Sequence, residues 1–103
     1  MSLPQQGEIW WAETEHKRRP VLVVTRSEAV EVLAGIVVAP VSRTVRAIPT
    51  EILLGQEDGL GVDCAASFDN LQRILRSALT ERIGALGTRR NEICGALRAL
   101  ADC

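Results

Sequence analysis

Apolar residues in this chain fall into short unbroken runs separated by polar stretches, and helical spacing appears clearly only near the C-terminal end. Residues 8–12 follow Gly7 as a bulky apolar strand. Residues 20–25 predict a second strand, and its Val21-Leu22-Val23-Val24 run has no polar alternation, the pattern of a strand buried on both faces. A third strand spans residues 33–41, ending at or bulging around Pro40. A fourth, residues 48–54, carries Pro49 and so belongs near an edge, and glycines at 55, 59 and 61 mark the turn after it. Residues 62–68 form a fifth strand, with Asp69-Asn70 as its end or a bulge. Residues 71–76 suit strand and helix equally, residues 82–86 read as a short last strand, and residues 27–31 as a single helical turn. Thr88 is placed to cap a helix over residues 89–101, in which Ile93, Leu97 and Leu100 recur at i, i+4 and i+7 as one packing face.

Five or six short antiparallel strands with one closing helix leave no length for parallel crossovers. The expected fold is therefore mainly β, within the α+β class: a small, curved antiparallel sheet or barrel with a C-terminal helix. The 103 residues suit a single domain over 1–103, with residues 1–6 as a frayed, flexible end.

Composition narrows the chemistry. The aromatic residues are Trp10, Trp11 and Phe68, so the core has to be aliphatic, and an extended aromatic platform for stacking single-stranded bases is disfavoured. A net charge of −1 gives no global nucleic-acid signature, but its distribution is uneven. From residue 17 to residue 46 the cations are Lys17, Arg18, Arg19, Arg26, Arg43 and Arg46, against Glu28 and Glu31 alone. That patch suits a short stretch of polyanion better than a long duplex. Cys64, Cys94 and Cys103 are scattered and odd in number, consistent with thiols of a reducing cytosol rather than a disulfide or zinc framework. One histidine makes a conventional metal site a poor expectation. No run reaches the ~20 apolar residues of a membrane span, so a cytoplasmic, membrane-free protein is expected.

The stretch from Lys17 to Val24 joins the cationic patch to the core, because a basic tip passes directly into the β-branched run. Pro20 has a fixed φ and no N–H, which suits the first residue of a strand, and it drives Arg19 towards an extended conformation. Arg19 thus stands at the mouth of a rigid strand, where a scaffold can hold a charge still. A plain solvated loop arginine is the competing reading.

Four segments in order, Gly7-Glu8-Ile9-Trp10-Trp11, Arg18-Arg19-Pro20-Val21-Leu22-Val23-Val24, Val38-Ala39-Pro40-Val41-Ser42 and residues 63–70, resemble the MazF/PemK family of toxins from bacterial toxin–antitoxin pairs. The resemblance runs from about Gly7 to the terminal helix. It implies an SH3-like barrel, a homodimer, cleavage of single-stranded RNA at short sequences with no metal or other cofactor, and neutralisation by a cognate antitoxin. Two catalytic positions carry over: Arg19, before the second-strand proline, and Ser42, the hydroxyl residue just past the third-strand Pro-x.

These residue types suit the implied reaction. Without a metal, the 2′-OH of the RNA attacks the adjacent phosphorus, and negative charge grows on the phosphoryl oxygens. A planar guanidinium meets two such oxygens at once and stays charged at any working pH. A hydroxyl donates to the same phosphate or positions the 2′-OH. Lys17, Arg18, Arg43 and Arg46 are the candidate RNA grips, with simple solvation as the alternative. His16 is the one side chain of a type whose unperturbed pKa lies near neutrality, and it is a further RNA-contacting candidate. Asn70 falls where relatives carry an amide that can read a base edge, while Asp69 is expected to brace its loop. Trp10 and Trp11 should face opposite sides of their strand, one in the core and the other along a groove or interface. The loop before Arg19 is shorter and more charged than in many relatives, so an RNA sequence preference does not transfer. The alternative function is a non-catalytic barrel of the same fold that poisons a protein such as DNA gyrase.

Overall fold

In the computed structural model, residues 3–15 and 17–101 are described. They form seven strands and two α-helices: β1 Glu8–Glu13, β2 Arg18–Val23, α1 Ser27–Val30, β3 Gly35–Ser42, β4 Glu51–Leu54, β5 Cys64–Ser67, β6 Gln72–Leu75, β7 Leu79–Ala85 and α2 Glu92–Leu100. The strands make one curled antiparallel sheet in the order β4-β5-β3-β2-β1-β7, with β6 paired to the far edge of β3. The result is the mainly β half-barrel with a C-terminal helix that the apolar pattern predicts. The ambiguous segment 71–76 is resolved as strand β6, which brings the count to seven rather than five or six.

Residues 21–23 of β2 and 36–41 of β3 are apolar runs because each is buried on both sides. Leu22, Ala39 and Val41 join Ile9, Ile52, Ala66, Phe68, Ile93 and Ala96 in a core between the sheet and α2. Val21, Val23, Ile36 and Val38 face the other way, onto Val30 of α1 and Leu79 of β7. A strand between two cores has no face left for polar residues.

Neither proline ends its strand. Pro20 is the third residue of β2, opposite Trp11, and Pro40 lies inside β3, opposite Val21. The amide and carbonyl of Val37 both engage the β2 side, through Thr25 Oγ1 and the Val24 N–H. Alternation then turns Pro40's missing donor to the opposite edge, between β6, whose pairing stops at Val38, and β5, whose pairing starts at Val41. Pro20's missing donor faces β3 just outside a ladder that begins at Val21. In both places the absent N–H costs no sheet hydrogen bond.

Strand β7 starts at Leu79, three residues ahead of the expected boundary at 82, and slips register against β1 twice, between Ile9 and Trp10 and between Trp11 and Ala12. Bulges of this kind sharpen local twist and help to curl the sheet. Glu8 ties the two strands together by accepting from Arg82 Nε at 2.8 Å and Trp10 Nε1 at 3.0 Å. Burial pushes this carboxyl up, but the donors from Trp10, the Gln5 N–H and Arg82 outweigh it and hold Glu8 below its usual value of 4.5.

The C-terminal helix is shorter than its sequence pattern predicts. Thr88 lies in the 3-10 turn Gly87–Arg89, the helix begins at Glu92, and the residue before it, Asn91, makes no side-chain cap bond. Arg89 explains the late start, because it is committed elsewhere: Nη1 donates to both carboxylate oxygens of buried Asp58 at 3.2 Å, and Nη2 to the Leu53 carbonyl at 2.6 Å. Its hydrogen bond to Glu92 is the main cause of a raised Arg89 pKa and of a lowered Glu92 pKa. Ile93 and Ala96 are buried and Leu97 packs beside them, whereas Leu100 is 40% exposed and falls off the expected stripe.

Candidate active site

The register of β2 and β3 sets the geometry. Val23 pairs with Val38, Leu22 with Ala39 and Val21 with Pro40. Beyond the last of these pairs, Arg19 stands near the start of β2 and Ser42 ends β3, where it pairs with Ala65 of β5. Arg19 and Ser42 therefore lie at the same end of two neighbouring central strands, Arg19 bordering one cleft and Ser42 another.

Arg19 is half-buried, and among the described residues no carboxylate or other side chain engages its guanidinium. It borders a small cleft of about 90 Å³ with Ala12, Thr14, Lys17, Val21, Gln72 and Ile74. Ala12, Val21 and Ile74 give the cleft an apolar floor, and Thr14, Lys17 and Gln72 surround Arg19 with polar groups. Lys17 also has no acidic partner among the described residues, and its carbonyl closes the hairpin by accepting from Thr14 N at 3.0 Å. Ser42 is exposed, and its Oγ accepts from the Thr44 N–H at 3.0 Å, which leaves its own O–H free to donate outward.

Arg43 is exposed beside Ser42, with no acidic partner among the described residues. Arg18 and Arg46 differ in each having a carboxylate neighbour, while both side chains stay largely exposed. Arg18 Nη2 donates to Glu81 Oε2 at 2.9 Å, and its guanidinium carbon lies 4.4 Å from the centroid of the Trp11 ring. Arg46 Nη1 lies 3.8 Å from Glu51 Oε2, while the N–H groups of Arg46 and Ala47 donate to Oε1 of the same carboxylate at 2.9 and 3.0 Å. Ala47 takes a positive φ of 54°, so the Glu51 anchor holds an unusual turn rather than offering a free cation.

Asn70 is exposed and engages one amide N–H locally. Its Nδ2 donates to Ser67 Oγ at 2.9 Å within the 3-10 turn Phe68–Asn70, which binds the amide to its own loop. Asp69 braces that loop as anticipated, accepting from Thr50 Oγ1 at 2.5 Å. The amide that faces Arg19 is Gln72, which has no partner among the described residues. The sequence held one clue to it: once residues 71–76 are a strand, Gln72 and Ile74 share a face. His16 lies outside the described residues. Trp10 packs against the second core, and Trp11 lines a larger cavity on the other face of the sheet. Among the described residues no group of three His, Cys, Asp or Glu side chains is placed to hold a metal ion.

Residues 5–101 match the family model of the PemK-like, MazF-like toxins of type II toxin–antitoxin systems. The chain is 37% identical over 101 residues to the probable endoribonuclease MazF2 of Mycobacterium tuberculosis, covering 96% of this chain and 99% of that protein. It is 35% identical over 105 residues to the probable endoribonuclease MazF5 of the same organism, covering 99% and 96%. Its fold superimposes on the M. tuberculosis toxin MazF-mt6 with a TM-score of 0.83 at 32% identity, over 92% of this chain and 96% of the other. A family match across nearly the whole chain, with relatives 37% and 35% identical over nearly all of their own length, makes this protein a member of the PemK/MazF toxin family.

Proposed function

We propose that this protein is an endoribonuclease toxin that cleaves single-stranded RNA through attack of the substrate's 2′-OH, with Arg19 as the principal contact to the transition-state phosphate and Ser42 as its partner. The observation that carries the reading is Arg19, half-buried near the start of a central strand with no carboxylate partner among the described residues, with Ser42 at the same end of the neighbouring strand. An arginine already neutralised by a carboxylate has little charge to offer a phosphate; Arg19 has no such partner. The relatives' names support this reading over a protein-poisoning barrel. Lys17 and Arg43 extend the cationic surface along the path of the RNA backbone, and Gln72 presents its amide beside Arg19. Arg18 and Arg46 need their present partners displaced before they can grip RNA.

Because the nucleophile belongs to the substrate, the reaction needs no activated serine. Family membership supports neutralisation by a cognate antitoxin and assembly as a homodimer. An antitoxin segment rich in carboxylates would compete with RNA for Lys17, Arg19 and Arg43.

The test is incubation with long single-stranded RNA in the presence of a metal chelator. Fragments ending in 2′,3′-cyclic phosphate are expected from the parent, with Arg19→Ala slowed on the order of a hundredfold. Parent protein that leaves varied RNA intact, or Arg19→Ala that cuts at the parent rate, would overturn the assignment.

A further inference from the structure

Strand β4 is an outer edge of the sheet and pairs with β5 alone. The Phe68 N–H donates to the Thr50 carbonyl at 2.9 Å, so alternation turns the backbone groups of residues 50, 52 and 54 towards β5 and those of 51, 53 and 55 outward. An outward row of this kind is a template on which another strand can add. In this chain most of the row is already taken. The Glu51 N–H donates to the Ile48 carbonyl at 2.9 Å, the Gly55 N–H donates to Asp58 Oδ2 at 3.0 Å, and the Leu53 carbonyl accepts from Arg89 Nη2 at 2.6 Å. Asp58 and Arg89 are joined to each other through Nη1, so two side chains from different turns close the edge as one unit. We infer that the Asp58–Arg89 pair is an edge guard, which keeps β4 from pairing with β4 of a second copy of this chain.

The second copy is the occupant because the outward row is complementary to itself. In an antiparallel pair centred on Leu53 and related by a two-fold axis, each Leu53 N–H meets the Leu53 carbonyl of the other copy, and each Gly55 N–H meets the other copy's Glu51 carbonyl. Such a pair needs the Leu53 carbonyl and the Gly55 N–H, the two groups that Arg89 and Asp58 hold. Apolar surface would add to the attraction, since Leu53 and Val62 are each 50% exposed beside an open groove of about 690 Å³. Arg89 places a charge on that apolar edge, a device by which natural sheets discourage strand addition. Its planar fork serves the Asp58 carboxylate, the Glu92 carboxylate and the Leu53 carbonyl together, which holds the guanidinium over the edge. Neither Asp58 nor Arg89 lines the Arg19 cleft or the cavity beside Ser42, so the guard stands apart from the residues proposed for RNA cleavage.

The experiment is sedimentation velocity of the full-length protein over a wide range of concentration, with circular dichroism to establish that each variant is folded. Parent, Arg89→Ala and the double variant Asp58→Asn/Arg89→Met are compared. The double variant removes both charges together, so no buried carboxylate is left unpaired, and it keeps the test open if Arg89→Ala fails to fold. The parent should show no species above its basal assembly, whereas both variants should form larger species as concentration rises. Leu53→Pro is then added to each associating variant. Proline there removes the outward N–H without costing a bond to β5, so it should return the variant to the parent's assembly. Folded variants that sediment as the parent does at every concentration would overturn the guard. Association that persists after Leu53→Pro in a folded protein would place the contact away from β4 and overturn it equally.

Discussion

The Ser42 hydroxyl does two jobs at one oxygen. Its lone pair accepts the Thr44 N–H and so shapes the turn that leaves β3, while its proton is free to donate to a phosphate. On the proposed mechanism Ser42→Ala removes a transition-state donor together with the turn bond, whereas Ser42→Thr keeps both. Single-turnover cleavage is expected to slow about tenfold to a hundredfold in Ser42→Ala, with Ser42→Thr close to the parent. Equal rates in parent and alanine variant would confine Ser42 to a structural role. Both catalytic candidates were named in the sequence by the family resemblance, Arg19 directly before Pro20 and Ser42 two residues past Pro40, although neither proline ends its strand. Gln72 and the Arg18–Trp11 contact were not: the first depends on residues 71–76 being strand, and the second on Arg18 and Trp11 sharing a sheet face across the β1–β2 pairing.

At the scale of elements, the turn between β4 and β5 is locked against β7 by backbone rather than by side chains. Gly59 has a φ of 94°, and a Cβ placed on Gly84 would lie 1.9 Å from the Asp58 carbonyl oxygen. Only a residue without a side chain lets β7 run under this turn, which supplies the Leu60 and Val62 wall of the larger cavity. Gly84→Ala should cost about 3 kcal/mol in urea unfolding, because backbone on both sides must move. Gly61→Ala, with nothing within 4 Å of its added carbon, should stay within about 0.5 kcal/mol of the parent. Similar losses at the two sites would mean that the turn, and not the close approach at Gly84, sets the stability. Glycines at 55, 59 and 61 announced this turn in the sequence. The docking at Gly84 and the register slips in β7 were hidden, since each depends on a partner segment far along the chain. The late start of α2 was hidden for the same reason, because Arg89 is held by Asp58 across 31 residues.

At the scale of the whole molecule, a net charge of −1 hides a division between neutralised and free cations. Arg18, Arg46, Arg82 and Arg89 all pair with carboxylates, whereas Lys17, Arg19 and Arg43 border the strand mouth with no such partner among the described residues. Net charge therefore underestimates the local attraction for a polyanion, and composition could not reveal this because pairing is a property of the fold. A single strand that neutralises three phosphates on one protomer releases counterions at about 0.7 per phosphate, so log Kd should rise with log salt at a slope of about 2. The probe is single-stranded RNA methylated at every 2′-O, which binds but lacks the attacking hydroxyl. Arg43→Ala should lower the slope to about 1.4, while Arg82→Ala, at an ion pair with Glu8 away from the strand mouth, should leave it unchanged. An Arg43→Ala slope equal to the parent's would take Arg43 out of the RNA path, and an equal fall in both variants would show attraction by overall charge instead of by the unpaired cations at the site.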